Sequence, residues 1–313
     1  MIYIPGGIAI IGCDHFYAEE KPVRETPVDA VLFDPHPVTN AEFARFVVAT
    51  SHVTVAEIAP NPLEFPGADL ALLVPGSQVF NQPQGPVPLD DWKRWWRWQP
   101  GANWREPNGD GVPWEEIADH PVVHIGWEDA MAYARWADKD LPTEVEWEHA
   151  ARGGLLMKDF TWGDVLSPNG SILANTWQGP FPWRSDDPDG FDRTSPVCSY
   201  PPNDYGLYDM IGNVWEWTRT RWTESHHERP VDAPAMNASC CGGSIHQSES
   251  SRMVTKGGSH LCSPDYCQRY RPAARQGQGI NDTTSHLGFR CVRRLQTRPV
   301  LDTARRFSVD LPQ

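Results

Sequence analysis

The stretch GLYDMIGNVWEW, residues 206–217, does most to decide the fold. Its apolar and aromatic residues predict a tight core strand in which a carboxylate caps a turn. A second interpretation stays open, because Asp209, Asn213 and Glu216 could supply oxygen ligands to a hard cation, with main-chain carbonyls beside them. The spacing by itself favours the core strand slightly.

The composition around this stretch is that of a folded protein rich in irregular structure. Of 313 residues, 40% are hydrophobic and 22% are charged, which is not the composition of a disordered chain. The 30 prolines and 25 glycines predict many turns and long ordered loops, which 15 tryptophans can pin together because each buries a large area. No linker divides the chain, so we expect one domain at 1–293 and a polar tail at 294–313.

Regular elements are predicted at only a few places. Thr39 with Glu42, and Thr143 with Glu146, each form a capping box at the start of a helix. Residues 51–120 show no sustained period and are interpreted as a long ordered insertion. The predicted helices cover about 39–50, 128–137 and 143–152, and the predicted strands lie within 2–12 and 28–33.

Charge and cysteine usage restrict the partners and the compartment. The net charge of -14 argues against nucleic acid and anionic membrane surfaces. No apolar run approaches the roughly 20 residues of a membrane span, and the opening MIYIPGG is typical of a strand and turn, not a signal peptide. Seven cysteines form no dense disulfide framework, so we expect a cytoplasmic protein in which Cys13, Cys198 and Cys291 are core residues.

The segment KGGSHLCSPDYCQRYR, residues 256–271, carries the most informative pair of side chains. Four residues separate Cys262 from Cys267, a spacing that can bring two sulfurs onto one small ion. Soft thiolate ligands select Cu(I) over hard cations. A disulfide and a pair of inert buried thiols remain alternatives. The vicinal pairs 226–227 and 240–241 fit a tetrahedral zinc site poorly, and Cys240-Cys241 is interpreted as a loop feature.

An acidic loop region is the third candidate site. ANTWQG at 174–179 is followed by DDPDGF at 186–191, so short side-chain oxygens lie beside glycines and exposed carbonyls. That combination suits Ca²⁺. A solvated acidic turn is the alternative, and the sequence by itself favours it.

The order of these segments resembles the formylglycine-generating enzyme family, also called sulfatase-modifying factors, from about Ile4 to Val292. Most of the shared motifs mark the wider superfamily and bear on fold more than on activity. The segment 256–271 is the part that looks like that of true formylglycine-generating enzymes. The other motifs are IPGG at 4–7, VTN at 38–40, GANWR at 101–105, PVVH at 121–124, LPTE at 141–144, GNVWEW at 212–217 and LGFRC at 287–291.

The resemblance implies a fold and two structural calcium sites. The fold is a single α+β domain of the sulfatase-modifying, C-type-lectin-like kind, poor in regular structure. Secreted relatives carry disulfide cysteines where Ala151 and Pro272 stand here, which supports a cytoplasmic enzyme. One implied calcium site uses Asn175, Asp189 and the main chain at Thr176 and Phe191; the other uses Asp209, Glu216 and the carbonyls of Gly212 and Val214.

The resemblance also implies a reaction. Members oxidise a cysteine within a Cys-x-Pro-x-Arg motif of a sulfatase to Cα-formylglycine, with O₂ as co-substrate. Here Cys262 and Cys267 would hold Cu(I) nearly linearly. Ser259 would lie beside the oxygen pocket, Trp215 would wall it, and Tyr266 and Arg271 would shape it.

We expect a monomer that binds unfolded sulfatase polypeptide in an exposed groove. Two other functions remain open. A non-catalytic, lectin-like Ca²⁺-binding recognition module would leave the paired cysteines unexplained. An iron-dependent sulfoxide synthase of the same superfamily would need a histidine-rich iron site.

Overall fold

Helices, short 3-10 turns and strands alternate with long loops in the computed structural model, which describes residues 1–64, 66–186, 190–226 and 252–295. None of the helices in these ranges is long and apolar enough to cross a membrane. The helices are α1 Asn40–Thr50, α2 Trp127–Trp136 and α3 Glu144–Ala151. The strands are β1 Ile2–Ile4, β2 Gly7–Ile11, β3 Arg24–Val28, β4 Val31–Phe33, β5 Gly76–Phe80, β6 Trp96–Pro100, β7 Trp215–Arg221, β8 Arg252–Lys256, β9 Arg275–Gly279, β10 Leu287–Gly288 and β11 Val292–Arg294.

Both predicted capping boxes are present. The Thr39 hydroxyl accepts from the Glu42 N–H at 3.2 Å, and the Glu42 carboxylate accepts from the Thr39 N–H at 3.0 Å. Thr143 and Glu146 exchange the same two bonds at 3.1 and 2.7 Å. Each box satisfies N–H groups that the first helical turn leaves unpaired, which explains why the helix starts were predictable.

The two ends of the domain meet in one small sheet. β4 lies between β1 and β11, and Phe33 is opposite both Ile2 and Val292. β11 continues to Arg294, so the predicted domain boundary at residue 293 falls within this strand. Residues 296–313, most of the predicted tail, lie outside the described residues.

The 206–217 stretch leads into the central sheet, as the core-strand interpretation predicted. The sheet has the order β10-β7-β8-β9, and β7 begins at Trp215. Trp215 and Trp217 are both buried in the main hydrophobic core. After β8, Gly257 and Gly258 turn the chain with φ of +93° and +69°, and β9 receives it again at Arg275. Residues 257–274, which we call the cysteine loop, therefore lie between β8 and β9.

The insertion at 51–120 contains a hairpin that periodicity did not predict. β5 and β6 pair antiparallel, with Gly76 opposite Pro100 and Phe80 opposite Trp96. Phe80 and the adjacent Trp95 pack with Leu261 of the cysteine loop in a second hydrophobic cluster. The insertion thus brings aromatic side chains to the candidate site.

The lone cysteines divide into two environments. Cys13 and Cys291 are buried, as expected, but Cys198 is exposed, so its prediction as a core residue was wrong. Cys198 lies in a turn with φ of +66°, and its N–H donates to Asp209 at 2.9 Å. Because this hydrogen bond uses the backbone N–H and not the side chain, the residue type does not reveal it. Cys240 and Cys241 lie outside the described residues.

Candidate metal centre

Tight turns in the cysteine loop bring the two cysteines together. The Cys262 N–H donates to the Ser259 carbonyl at 2.9 Å, and Ser263 and Cys267 exchange backbone bonds at 2.9 and 3.0 Å. The two sulfurs lie 3.5 Å apart, and both cysteines are free. Cys262 is only 2% exposed, whereas Cys267 is partly exposed. A ligand can therefore approach the pair from the Cys267 side.

The geometry of the pair fits a soft metal ion. Two metal–thiolate bonds of about 2.3 Å can meet at one ion only if the sulfurs are no more than about 4.6 Å apart. The observed 3.5 Å satisfies this limit, but the nearly linear arrangement expected from the resemblance would need a separation of about 4.6 Å, so the two sulfurs would have to move apart to adopt it. In the part of the chain that the structure describes, no group of three or more His, Cys, Asp or Glu side chains comes together as a metal site. Two thiolates without a third protein ligand suit Cu(I) better than Zn²⁺, which takes three or four.

The two thiols differ in acidity. Burial raises the pKa of Cys262 well above its ordinary value, and the neighbouring Cys267 adds to the effect. A hydrogen bond from the Cys262 thiol lowers the pKa of Cys267 to about 6, with further help from the positive charge of Arg269. The first proton is thus lost near neutral pH, while the second remains until a bound metal displaces it.

Two of the predicted site residues, Ser259 and Tyr266, lie beside this pair, and a third, Trp215, lies in the core that buries Cys262. Ser259 is buried; its N–H donates to the Cys262 sulfur at 3.4 Å and its hydroxyl accepts from the Leu261 N–H at 3.2 Å. Trp215 is buried in the same core cluster as Cys262. Tyr266 is 39% exposed and stacks on Phe181, with ring centres 4.6 Å apart.

The fourth predicted residue, Arg271, lies in a closed ion pair. It is 2% exposed and donates to both carboxylate oxygens of Glu20, at 2.9 and 2.5 Å. The arginine that contacts the site is Arg269, whose Nη1 lies 3.9 Å from the Cys267 sulfur. Sequence reasoning missed Arg269, because the two arginines stand two residues apart in one motif and no local signal separates them.

A buried histidine next to Cys262 was also missed. His260 is 4% exposed, and its Nδ1 lies 2.8 Å from the Asn213 carbonyl oxygen, to which it donates. Burial lowers the pKa of His260 to about 4, so its ring is neutral at physiological pH. Its ring centre is 6.5 Å from that of His286. Within the described ranges these histidines are not part of any group of three or more His, Cys, Asp or Glu side chains that could hold a metal ion.

The second expected calcium site contains one carboxylate without a cationic partner. Asp209 is buried, accepts from the Cys198 N–H, and forms no ion pair within the described ranges. Burial raises the pKa of Asp209, and the negative charge of Glu216 adds to the effect. Glu216 itself accepts from Arg290 at 2.7 Å through each oxygen. A bound cation beside Asp209 would offset its charge, so the residues fit Ca²⁺, with Glu216 shared between the ion and Arg290.

The first expected calcium site is described only in part. The Asn175 amide nitrogen donates to the Arg193 carbonyl at 2.9 Å, which leaves the amide oxygen for another partner. The Thr176 carbonyl accepts from Gln178 at 3.0 Å. Asp189 lies outside the described residues. Phe191 is described, but the donor set of this site cannot be assembled without Asp189 and stays a prediction.

Comparison with known proteins places the chain in a family. The sulfatase-modifying factor enzyme 1-like domain matches residues 1–295. The chain belongs to this family. A formylglycine-generating enzyme of Mycobacterium tuberculosis is 49% identical over 296 residues, which cover 93% of this chain and 97% of that protein.

Two further comparisons bear on activity and on fold. A Bos taurus protein named inactive C-alpha-formylglycine-generating enzyme 2 is 36% identical over 294 residues, which cover 93% of this chain and 87% of that protein. The solved structure of PvdO from Pseudomonas aeruginosa superposes with a TM-score of 0.63 at 23% identity, covering 94% of this chain and 93% of that one. The expected single α+β domain of the family is confirmed.

Proposed function

We propose that this protein is a copper-dependent oxidase that converts a cysteine in the Cys-x-Pro-x-Arg motif of an unfolded sulfatase to Cα-formylglycine with O₂. The observation that carries the proposal is the pair of free cysteines Cys262 and Cys267, whose sulfurs lie 3.5 Å apart and of which Cys267 is a partly exposed residue. Family membership does not decide activity, since one relative is named inactive. A non-catalytic calcium module would have no use for such a thiol pair.

The side chains around the pair have separate tasks in this proposal. Cys262 and Cys267 would hold copper, which when bound supplies the chemistry with O₂. Arg269, 3.9 Å from the Cys267 sulfur, offsets negative charge on the thiolates. The Ser259 N–H fixes the Cys262 sulfur, and Trp215 belongs to the hydrophobic core in which Cys262 is buried. A substrate thiol would therefore enter beside Cys267.

The aromatic cluster next to Cys267 has one exposed ring, that of Tyr266, which suits contact with an extended peptide. Tyr266 stacks on Phe181 and lies edge-on to Trp95, with ring centres 4.6 and 5.4 Å apart. Trp95 leads directly into β6. The Asn81 N–H donates to the Trp95 carbonyl, so this position of the antiparallel pair is a hydrogen-bonded one. Hydrogen-bonded positions alternate along such a pair, so the backbone N–H groups of Trp96 and Trp98 point away from β5. An edge of this kind can pair with an extended chain, while the exposed Tyr266 ring, supported by the buried Phe181 and Trp95, contacts its side chains.

The oligomeric state and the cellular compartment are proposed from the same site and its cysteines. Both sulfurs and the aromatic cluster beside them come from one chain, so we propose that a monomer suffices. Cys13, Cys198, Cys262, Cys267 and Cys291 are all free in the described ranges, which supports a reducing, cytoplasmic setting.

The test is turnover of a Cys-x-Pro-x-Arg peptide by protein reconstituted with Cu(I) under reducing conditions. Mass spectrometry would detect the aldehyde, and an electrode would follow O₂ uptake. Cys262→Ser and Cys267→Ser should each abolish turnover and weaken Cu(I) binding, whereas Cys198→Ser, at an exposed cysteine outside the site, should not. Full turnover by either site variant would refute the copper proposal.

A further inference from the structure

A loop near the start of the chain packs against the cysteine loop across about 250 residues of sequence. This loop, residues 14–21, contributes the Tyr17 hydroxyl, which accepts from the Gln268 N–H at 3.0 Å. The Tyr17 ring also lies under the Arg269 guanidinium, 4.0 Å from its central carbon. The 14–21 loop is held in turn by Arg275, which donates to the Glu19 carbonyl at 3.2 Å.

Glu19 determines where the Arg269 guanidinium points. Arg269 donates through Nε and Nη2 to one oxygen of Glu19, at 3.2 and 2.6 Å. Its remaining nitrogen, Nη1, is the one that lies 3.9 Å from the Cys267 sulfur. Because the guanidinium is planar and rigid, fixing two of its nitrogens fixes the third. The Tyr17 ring beneath it restricts the same plane.

We propose that Glu19 is a positioning residue for the thiol site: it holds Arg269 against Cys267 and so stabilises the anionic, metal-loaded state of the two sulfurs. The inference rests on the proposed function for the identity of the metal. Two thiolates with one monovalent cation carry a net negative charge, which is costly to bury. A cation fixed about 4 Å from one sulfur offsets that cost.

A neighbouring ion pair supplies an internal contrast. Glu20 binds Arg271 through two bonds, but Arg271 contacts the Phe16 ring and the Gln268 carbonyl, not a sulfur. The Glu20–Arg271 pair therefore anchors the 14–21 loop without touching the site. If Glu19 only anchored the loop as well, loss of either acid would have the same consequences for metal binding.

The experiment compares Glu19→Gln with Glu20→Gln and with Glu25→Gln, the last an exposed acid on β3 away from the cysteine loop. The dissociation constant for Cu(I) is measured anaerobically by competition with a chromophoric chelator, and unfolding of the metal-free protein is followed separately. Outer-sphere partners of metal ligands typically contribute about 10- to 100-fold to affinity. We expect a loss of about tenfold or more for Glu19→Gln, a lowered unfolding temperature with near wild-type affinity for Glu20→Gln, and no change for Glu25→Gln.

Each outcome decides the inference. A Cu(I) affinity of Glu19→Gln within twofold of the wild-type protein would overturn it while leaving the proposed function intact, and so would equal losses of affinity in Glu19→Gln and Glu20→Gln. Failure of the wild-type protein to bind Cu(I) would overturn both. Should Glu19→Gln not fold, Arg269→Lys replaces it. Lysine keeps the positive charge, but its single ammonium group cannot bridge Glu19 and the Cys267 sulfur as the planar guanidinium does. An unchanged Cu(I) affinity of Arg269→Lys would therefore also overturn the inference.

Discussion

Replacing Arg290 by methionine should destabilise the fold strongly, because it leaves a charge unpaired in the core. Arg290 and Glu216 are both fully buried, and two bonds of 2.7 Å join them. The third donor to Glu216 is the Trp147 indole N–H, also at 2.7 Å. In Arg290→Met without bound calcium, only this indole would remain to satisfy the buried carboxylate.

Removing one partner of a buried pair costs about 3–5 kcal/mol, which for a domain of this size corresponds to a melting temperature lower by roughly 5–8 °C. The double variant Glu216→Leu/Arg290→Met removes the stranded charge and should be more stable than Arg290→Met. It should not reach the wild-type value, because Arg290 also donates to the carbonyls of Tyr208 and Asp209, at 2.8 and 3.1 Å.

Thermal and urea unfolding in the presence of a calcium chelator would measure these differences, because calcium at Glu216 then makes no contribution to stability. Arg45→Met, at an exposed arginine of α1, is the matched control and should change stability by less than about 0.5 kcal/mol. The reasoning would be refuted if the double variant were less stable than Arg290→Met, since the stranded charge would then not be the dominant cost.

Two further predictions concern the thiols and the calcium sites. In metal-free protein, alkylation of Cys267 by iodoacetamide should rise through a midpoint near pH 6, where its pKa lies, because the thiolate is the nucleophile; a midpoint near 8.5, usual for cysteine, would contradict the hydrogen bond from Cys262. Removing calcium with a chelator should lower the melting temperature, since a ligand bound only to the folded state at 100 times its Kd stabilises by about 2.7 kcal/mol. An unchanged melting temperature would count against both sites, including the one at Asp209.

Local signals in the sequence were enough for the helices and for the core strand. The capping boxes at Thr39 and Thr143 place both partners within four residues of each other, so the sequence contains the whole interaction. The GNVWEW motif likewise predicts β7, because large aromatic side chains such as its two tryptophans are usually buried in a core. Elements of this kind are predictable because the residues that stabilise them are adjacent.

The parts that sequence reasoning missed depend on contacts between distant segments. The β5–β6 hairpin pairs strands separated by a 15-residue connection, and its alternation of tryptophan with Arg97 and Gln99 is short. Arg269, and not Arg271, lies at the sulfur because Glu19 binds Arg269 and Glu20 binds Arg271, and both acids are far away in the chain. No spacing rule within the cysteine motif contains that information.

One residue of the 206–217 stretch joins the expected calcium region to the thiols. The Asn213 N–H donates to the Asn175 carbonyl at 2.8 Å, while its own carbonyl accepts from the His260 N–H at 3.0 Å and from the His260 ring. Its neighbour Gly212 donates to the Gly257 carbonyl at 2.9 Å, at the start of the cysteine loop. The cysteine loop has no helix or strand of its own, so its shape depends on such bonds. A cation that fixes the backbone around Asn175 or Asp209 would therefore also stabilise the turn that holds Cys262, so the expected calcium sites and the thiol pair share one connected network of hydrogen bonds.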